Sequence, residues 1–374
     1  MPLGAWIIVP FDFVKRNHYV RAMIRAKIIG AGGYGGVGIT EFLLGHPEVD
    51  LACLVAKTET GMLMSDLYPH VKGFCDLPIL PPDDPAAHEA YDVVFFSTPD
   101  GVAMRDARAE LEKGAAVIDY SGDFRFQTPQ EYAEYAKRIG KNPEHASPDL
   151  LAQSVYGLPE LHRDELNPST RLVGNVGCFA IGVTLGLAPA VRHKLVDFKS
   201  IIVDAKTAVS GAGKKPSPTF HYPARYDQMN AYRLTGHQHV VEVEREMKKL
   251  SGEEIAITFT PQVVPACRGI LSCIYGSLHE GMGINDVMDA YRAFHQDNYF
   301  VRIYDRNAPI GTQHVRGSNF CNLIVDVDER TGKMRIISHI DNLVKGQAGN
   351  ALQNMNLLFG LPETMGLDRP GQYP

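Results

Sequence analysis

The sequence predicts an α/β protein in two parts, a doubly wound parallel sheet followed by an α+β portion with a mainly antiparallel sheet. Three observations carry this expectation. Strand-length apolar runs alternate with helical patterns over residues 26–120, a glycine-rich turn directly follows the first run, and strand-like runs outnumber helices after about Leu172. A length of 374 residues exceeds what a single compact core serves and fits two associated domains.

Each element follows in order. Residues 26–30 form the first strand, residues 30–36 the turn, and a helix continues to Gly45 and Pro47, which stop it. Residues 50–56 make a second strand. Residues 91–98 are a short apolar run of the buried parallel type, and residues 102–113 a helix ended by Gly114. Residues 115–120 are the next strand, so the first part reads as a Rossmann-type sheet. Later strands are expected at 200–209, 254–264, 269–278, 319–327 and 333–340, the last two joined by a turn at 328–332. Helices fall at 179–193, 239–250 and 284–295. A final helix near 347–359 follows the loop 342–346 and can return to the first domain. The expected division is an N-terminal extension over 1–23, a nucleotide-binding domain over 24–172 completed by 341–374, and a catalytic domain over 173–340.

Composition narrows the function. A net charge of −6 excludes a basic nucleic-acid-binding body, and no 18-residue apolar run is present to span a membrane. Cys53, Cys75, Cys178, Cys267, Cys273 and Cys321 lie far apart, without a C-x-x-C or an adjoining histidine cluster. Neither a zinc site nor a disulfide framework is therefore expected, and all but Cys178 read as small buried hydrophobes in a reducing cytoplasm. The stretch before Met23 lacks the core and cleavage site of a secretory signal, and reads as an extension or as a start codon assigned too early.

The turn Gly30-Ala-Gly32-Gly33-Tyr34-Gly35-Gly36 sits between strand and helix, the context a dinucleotide site requires. Missing side chains let a pyrophosphate reach backbone N–H groups at the helix N-terminus. After the second strand come Lys57 and Thr58 in place of a ribose-holding acid, which suits the 2′-phosphate of NADP(H). Asn175-Val-Gly177-Cys178 places a cysteine directly before a helix, where the helix N-terminus should stabilise a thiolate and free N–H groups could hold an oxyanion. His237, His239 and Glu242 cluster at another helix start, and either histidine could move a proton. Ser210-Gly211-Ala-Gly-Lys214 suits a phosphate, and Arg125, after Ser121, offers a planar fork to an anion.

These residues resemble a known family. The segment Val173-Gly-Asn-Val176-Gly-Cys178-Phe-Ala-Ile181-Gly182 is similar to the active-site signature of N-acetyl-gamma-glutamyl-phosphate reductases, and the resemblance spans about residues 24–367. It takes in Tyr156-Gly-Leu-Pro-Glu160, residues 210–213, the 237–242 block and Asn342-Leu-Val-Lys345-Gly346. Val176 replaces a usual proline, Ile181 a threonine, Gln238 an arginine, and Asp100 a histidine between Pro99 and Gly101.

The resemblance implies a Cys178 thioester, hydride from NADPH, and a proton from a histidine, with His237 favoured and His239 and Glu242 orienting it. Ser97, Pro99, Gly182, Asn342, Lys345 and Gly346 are expected to complete the coenzyme site, and Ser121, Arg125, Asn175, Ser210, Gly211, Lys214 and Glu242 the substrate site. It also implies a homo-oligomer, dimer or tetramer, acting on a small acyl phosphate or semialdehyde with inorganic phosphate. A reductase for a substrate carried on a small acidic protein is the nearest alternative; dispersed lysines and arginines argue for a free substrate. A regulator that kept the fold and lost catalysis is the other, and Cys178 with both histidines argues against it.

Overall fold

The computed structural model describes residues 23–374; the stretch read as an extension lies outside the described residues but for Met23. Seven strands form the first sheet: β1 Ile24–Ile29, β2 Val49–Val55, β3 Ile79–Leu80, β4 Val93–Phe96, β5 Ala116–Asp119, β6 Ser154–Gly157 and β7 Leu172–Asn175. Their order is β3-β2-β1-β4-β5-β7-β6, and every pairing is parallel. Val93–Phe96 is fully buried, the burial expected of a strand covered on both faces. Two apolar clusters, one with Ile28 and Phe95, the other with Val94 and Phe96, pack on the sheet's two faces.

The change of texture placed at Leu172 falls one strand early, since β7 pairs with both β5 and β6. β6 and β7 went unread because each is four residues long and ends in glycine or asparagine, which masks a strand pattern. The helix Pro129–Arg138 was also unread, although Thr128 caps it by accepting from the Glu131 amide.

The second sheet contains β8 Ile202–Thr207, β9 Asn230–Ala231, β10 Thr258–Val263, β11 Ile270–Ser277, β12 Val301–Asp305, β13 Cys321–Asp328 and β14 Lys333–Ile340. Its order is β12-β13-β14-β11-β8-β10-β9. It is mixed and mostly antiparallel, with β8–β10 and β12–β13 the parallel pairs. Against it lies the helix Cys178–Arg192, in which every residue from Phe179 to Val191 is buried. Such all-round apolarity belongs to a helix with neighbours on all sides, each buried leucine or valine contributing about 1.5–3 kcal/mol. Gly186 permits the close approach: a Cβ there would stand 2.7 Å from Ile274.

The last helix begins with a π-turn, Val344–Ala348, before Gly349–Leu358. Asn350 and Asn354 both donate to the Gly157 carbonyl and to Asn175 Oδ1, which pins this helix to the ends of β6 and β7. The Cys178-bearing turn after β7 is therefore gripped from the carboxyl edge of the parallel sheet, where ligands of such sheets bind.

Candidate active site

Two cavities meet the strand ends. The first, about 590 Å³, is lined by Gly30, Gly32, Gly33, Lys57, Thr58, Ser97 and Pro99 among others. The helix Tyr34–Leu44 starts beside it with Gly33 as N-cap and no side chain capping it, so its first N–H groups remain free for an anion. Gly30 has φ +89°, and a Cβ there would stand 2.2 Å from the Ser97 carbonyl. Only glycine fits this turn. A dinucleotide fits these residues, and the same wall adds cations that sequence reading missed, Arg105 and Lys113. It also adds an acid, Glu59, whose carboxylate accepts from Thr58 and lies 2.7 Å from Lys214 Nζ. Lys214 thus lines the nucleotide cavity rather than the catalytic one. Tyr34 and Ser210 face a neighbouring cleft of about 780 Å³.

The second cavity, about 560 Å³, is lined by Cys178, His237, His239, Gly211, Tyr232 and Arg233 with apolar neighbours. Cys178 opens its 15-residue helix, and Gly346 presses on it so closely that a Cβ there would come 2.8 Å from the Cys178 Cβ. The expected stabilisation of a thiolate at the helix start is present but outweighed. Burial pushes the Cys178 thiol up to about 11, and the Phe179 N–H only partly counters this. Cys178 keeps part of its surface open, and it lines this cavity.

His237 Nδ1 accepts from the His239 amide, so its neutral ring carries the proton on Nε2, 3.5 Å from the Tyr232 hydroxyl. Burial, then the neighbouring His239, push His237 down to about 2. Burial, with Arg125 and Arg233 behind it, also pushes His239 well down. Its Nε2 packs on the peptide before Cys178, 2.3 Å from where a Gly177 Cβ would stand. Both imidazoles are neutral.

Several expected ligand-binding residues have other partners. Arg125 donates from Nε to the Asn175 carbonyl, from one terminal nitrogen to the Tyr120 carbonyl and from the other to Glu242, so it forms part of the wall behind Gly177 and is no free anion clamp. Glu242, fully buried, also accepts from the Gly177 amide and the Tyr156 hydroxyl. Asn175 spends its amide on Gln347, Asn350 and Asn354. Ser121 donates to Asp119. Lys345 is fully buried between Glu160 and Gln353 and does not reach the coenzyme cavity. Gly182 serves helix-to-sheet packing, its missing Cβ lying 3.0 Å from Ser338 Oγ. Asn342 donates to Ser210 and accepts from the Gly269 amide. In each case a buried charge or amide is satisfied by protein, as burial demands.

One further expectation fails. Cys267 is exposed and Cys273 half-buried, so not every remaining cysteine is interior. Lys137, Arg138 and Arg233 line a separate depression of about 430 Å³, which shares Arg233 with the Cys178 cavity. Of the substituted signature positions, Asp100 accepts from the Gly122 amide and the Tyr135 hydroxyl, and Gln238 accepts from Arg233. No group of three metal-ligating side chains and no membrane-length apolar helix occurs among the described residues.

Residues 25–169 match the model of the semialdehyde dehydrogenase NAD-binding domain, and residues 178–342 that of the semialdehyde dehydrogenase dimerisation domain. An N-acetyl-gamma-glutamyl-phosphate reductase of Citrifermentans bemidjiense is 40% identical over 353 residues, covering 94% of this chain and 100% of the relative. The chain belongs to the N-acetyl-gamma-glutamyl-phosphate reductase family. The same identity, 40% over 352 residues, holds for the reductase of Caldicellulosiruptor bescii, with 94% and 100% covered. In fold, this family member is similar to aspartate semialdehyde dehydrogenase II from Vibrio cholerae, with TM-score 0.67 and 17% identity over 90% of this chain and 99% of the other. It is an oxidoreductase with a nicotinamide-binding domain, and the reductase fold places that domain's cavity beside the one holding Cys178.

Proposed function

We propose that the chain reduces N-acetyl-L-glutamyl 5-phosphate to N-acetyl-L-glutamate 5-semialdehyde, releasing phosphate and consuming NADPH, a step of arginine biosynthesis. The observation that carries this reading is Cys178 at a helix start, in one cavity with two neutral histidines, next to a glycine-lined nucleotide cavity.

The chain's own groups divide the work. Cys178 is a neutral thiol in the free protein, so its proton must leave as sulfur attacks the acyl carbon. His239 Nε2, packed on Gly177, is the proposed acceptor. The C–S bond forms as the carbon–oxygen bond to phosphate breaks, and the carbonyl oxygen faces the uncapped amides of the helix start. When bound, the coenzyme supplies the hydride that the thioester carbon accepts. The C–S bond then breaks as the C=O bond re-forms, the oxygen passing its proton to a histidine and the departing sulfur taking one up, which releases the aldehyde and restores the thiol. His237, protonated on Nε2, is the proposed donor to oxygen. Arg125 and Glu242 position this turn without touching substrate.

Lys57 and Arg105, with Thr58 beside them, support NADP(H) over NAD(H); Glu59 is held by Lys214 and Thr58, and Lys113 pairs with Glu110. A homo-oligomer, dimer or tetramer, acting in the cytoplasm on a free small-molecule substrate completes the reading. The test is phosphate-dependent oxidation of N-acetyl-L-glutamate 5-semialdehyde with NADP⁺. Failure of the pure protein to form NADPH, or formation independent of phosphate, would rule this reaction out.

A further inference from the structure

The catalytic cavity must hold a substrate with two anionic ends, and its wall has an uneven supply of charge. Among the described residues that line it, no Asp, Glu or Lys occurs, and both histidines are neutral. Arg233 carries the wall's one formal charge. Arg125, the arginine that the motif pointed to, is sealed behind Gly177 with Glu242. Arg233 makes no ion pair with any described carboxylate, and one of its terminal nitrogens donates to Gln238 Oε1 at 2.8 Å. The rest of its planar fork is open to a ligand.

Its backbone adds a second observation. Arg233 has φ +45°, in the left-handed region where residues other than glycine are uncommon. Asn230 and Ala231 form the short edge strand that precedes it, and Tyr232 also lines the cavity. The unusual turn thus accompanies a side chain shared between the catalytic cavity and the outer depression of Lys137 and Arg138. Backbone strain of this kind persists where the surrounding structure holds it, frequently at ligand-binding positions.

We infer that Arg233 is the specificity-determining residue that reads the substrate's α-carboxylate, holding it at the cavity mouth while Cys178 meets the other end. The assignment rests on the reaction proposed above. A phosphoryl group must lie at the reacting carbon, beside Cys178 and Gly211; the carboxylate is the anion left for a cation at the rim. A guanidinium matches a carboxylate through two parallel N–H donors, and Gln238 holds that guanidinium in place.

The experiment compares two aldehydes, N-acetyl-L-glutamate 5-semialdehyde and 4-acetamidobutanal, which is the same molecule without its carboxylate. Wild type, Arg233→Gly and Arg233→Lys are assayed with phosphate and NADP⁺. Arg233→Gly removes the guanidinium and relieves the positive φ, so folding is not at risk. Loss of a charge-assisted contact predicts that kcat/KM for the carboxylated aldehyde falls about 10- to 100-fold, mainly through KM. Activity on 4-acetamidobutanal, and the KM values for phosphate and NADP⁺, should hold, with Arg233→Lys between the extremes. Equal loss on both aldehydes, or a raised KM for phosphate, would overturn the assignment. Should wild type oxidise neither aldehyde, the proposed reaction fails first. Calorimetric binding of N-acetylglutamate then judges Arg233 by itself, and equal affinity for wild type and Arg233→Gly would sink it.

Discussion

The Glu242 carboxylate stands 2.9 Å from the Arg125 guanidinium, both side chains almost wholly buried directly behind the nucleophile's turn. Glu242 also accepts from the Gly177 amide, so the pair couples the helix His239–Ser251 to the residue preceding Cys178. The pair holds that turn in place.

Arg125→Met would leave the Glu242 charge buried without its partner, and should cost about 3–5 kcal/mol of stability. Glu242→Gln keeps the shape and should cost less. In a double-mutant cycle by denaturant unfolding, the two changes together should cost less than their sum. Strict additivity would show that the pair has no energetic coupling.

Cys178→Ser should retain coenzyme binding and lose turnover by several orders of magnitude, because a serine hydroxyl is a far weaker acid and nucleophile than even a buried thiol. The exposed Cys267→Ser should be silent in the same assay. Near-normal turnover by Cys178→Ser would remove the covalent mechanism.

Alkylation of Cys178 by iodoacetamide reports its ionisation. With the thiol pushed up to about 11, the reactive anion forms only as pH rises toward that value. The rate should therefore climb about tenfold per pH unit from about pH 7 to pH 10, measured by mass spectrometry of the 178-containing peptide. A plateau below about pH 8 would instead mean that an ion pair with a histidine holds the thiolate.

His237→Asn should lower kcat about 10²- to 10⁴-fold with coenzyme affinity kept, the usual scale for removing a proton donor. If His239→Asn impairs the first, acyl-transfer step and His237→Asn the later ones, single-turnover kinetics will separate them. Identical effects on both steps would dissolve the proposed division.

Lys57→Asp should move coenzyme preference toward NAD(H), read as the ratio of kcat/KM values, because a carboxylate repels the 2′-phosphate. An unchanged ratio would shift the role to Arg105, Lys113 or Lys214, which line the same cavity.

Much of this protein was legible locally. The turn at Gly30 needs a φ that glycine adopts freely, Val93–Phe96 is a continuous apolar run, and Cys178 precedes an apolar run of helical length. Each signal lies within a few residues, so element order, the nucleotide turn and the nucleophile could be read directly. Short β6 and β7 could not, since four residues beside glycine and asparagine take their strand conformation from neighbours in the sheet.

What the amino-acid order determined by itself is thus the alternation of elements, the coenzyme turn and the candidate cysteine and histidines. Only the tertiary structure decided which charges face a cavity and which are sealed behind its wall. Arg125 is neutralised by a glutamate 117 positions away, Lys345 by one 185 positions away, and Arg233 by no described carboxylate. A cation's role is set by what lies within a few ångströms once the chain has folded, because burial forces every charge to find a partner or to face solvent or ligand. Such partners come from distant segments, and nothing in the local order of residues names them.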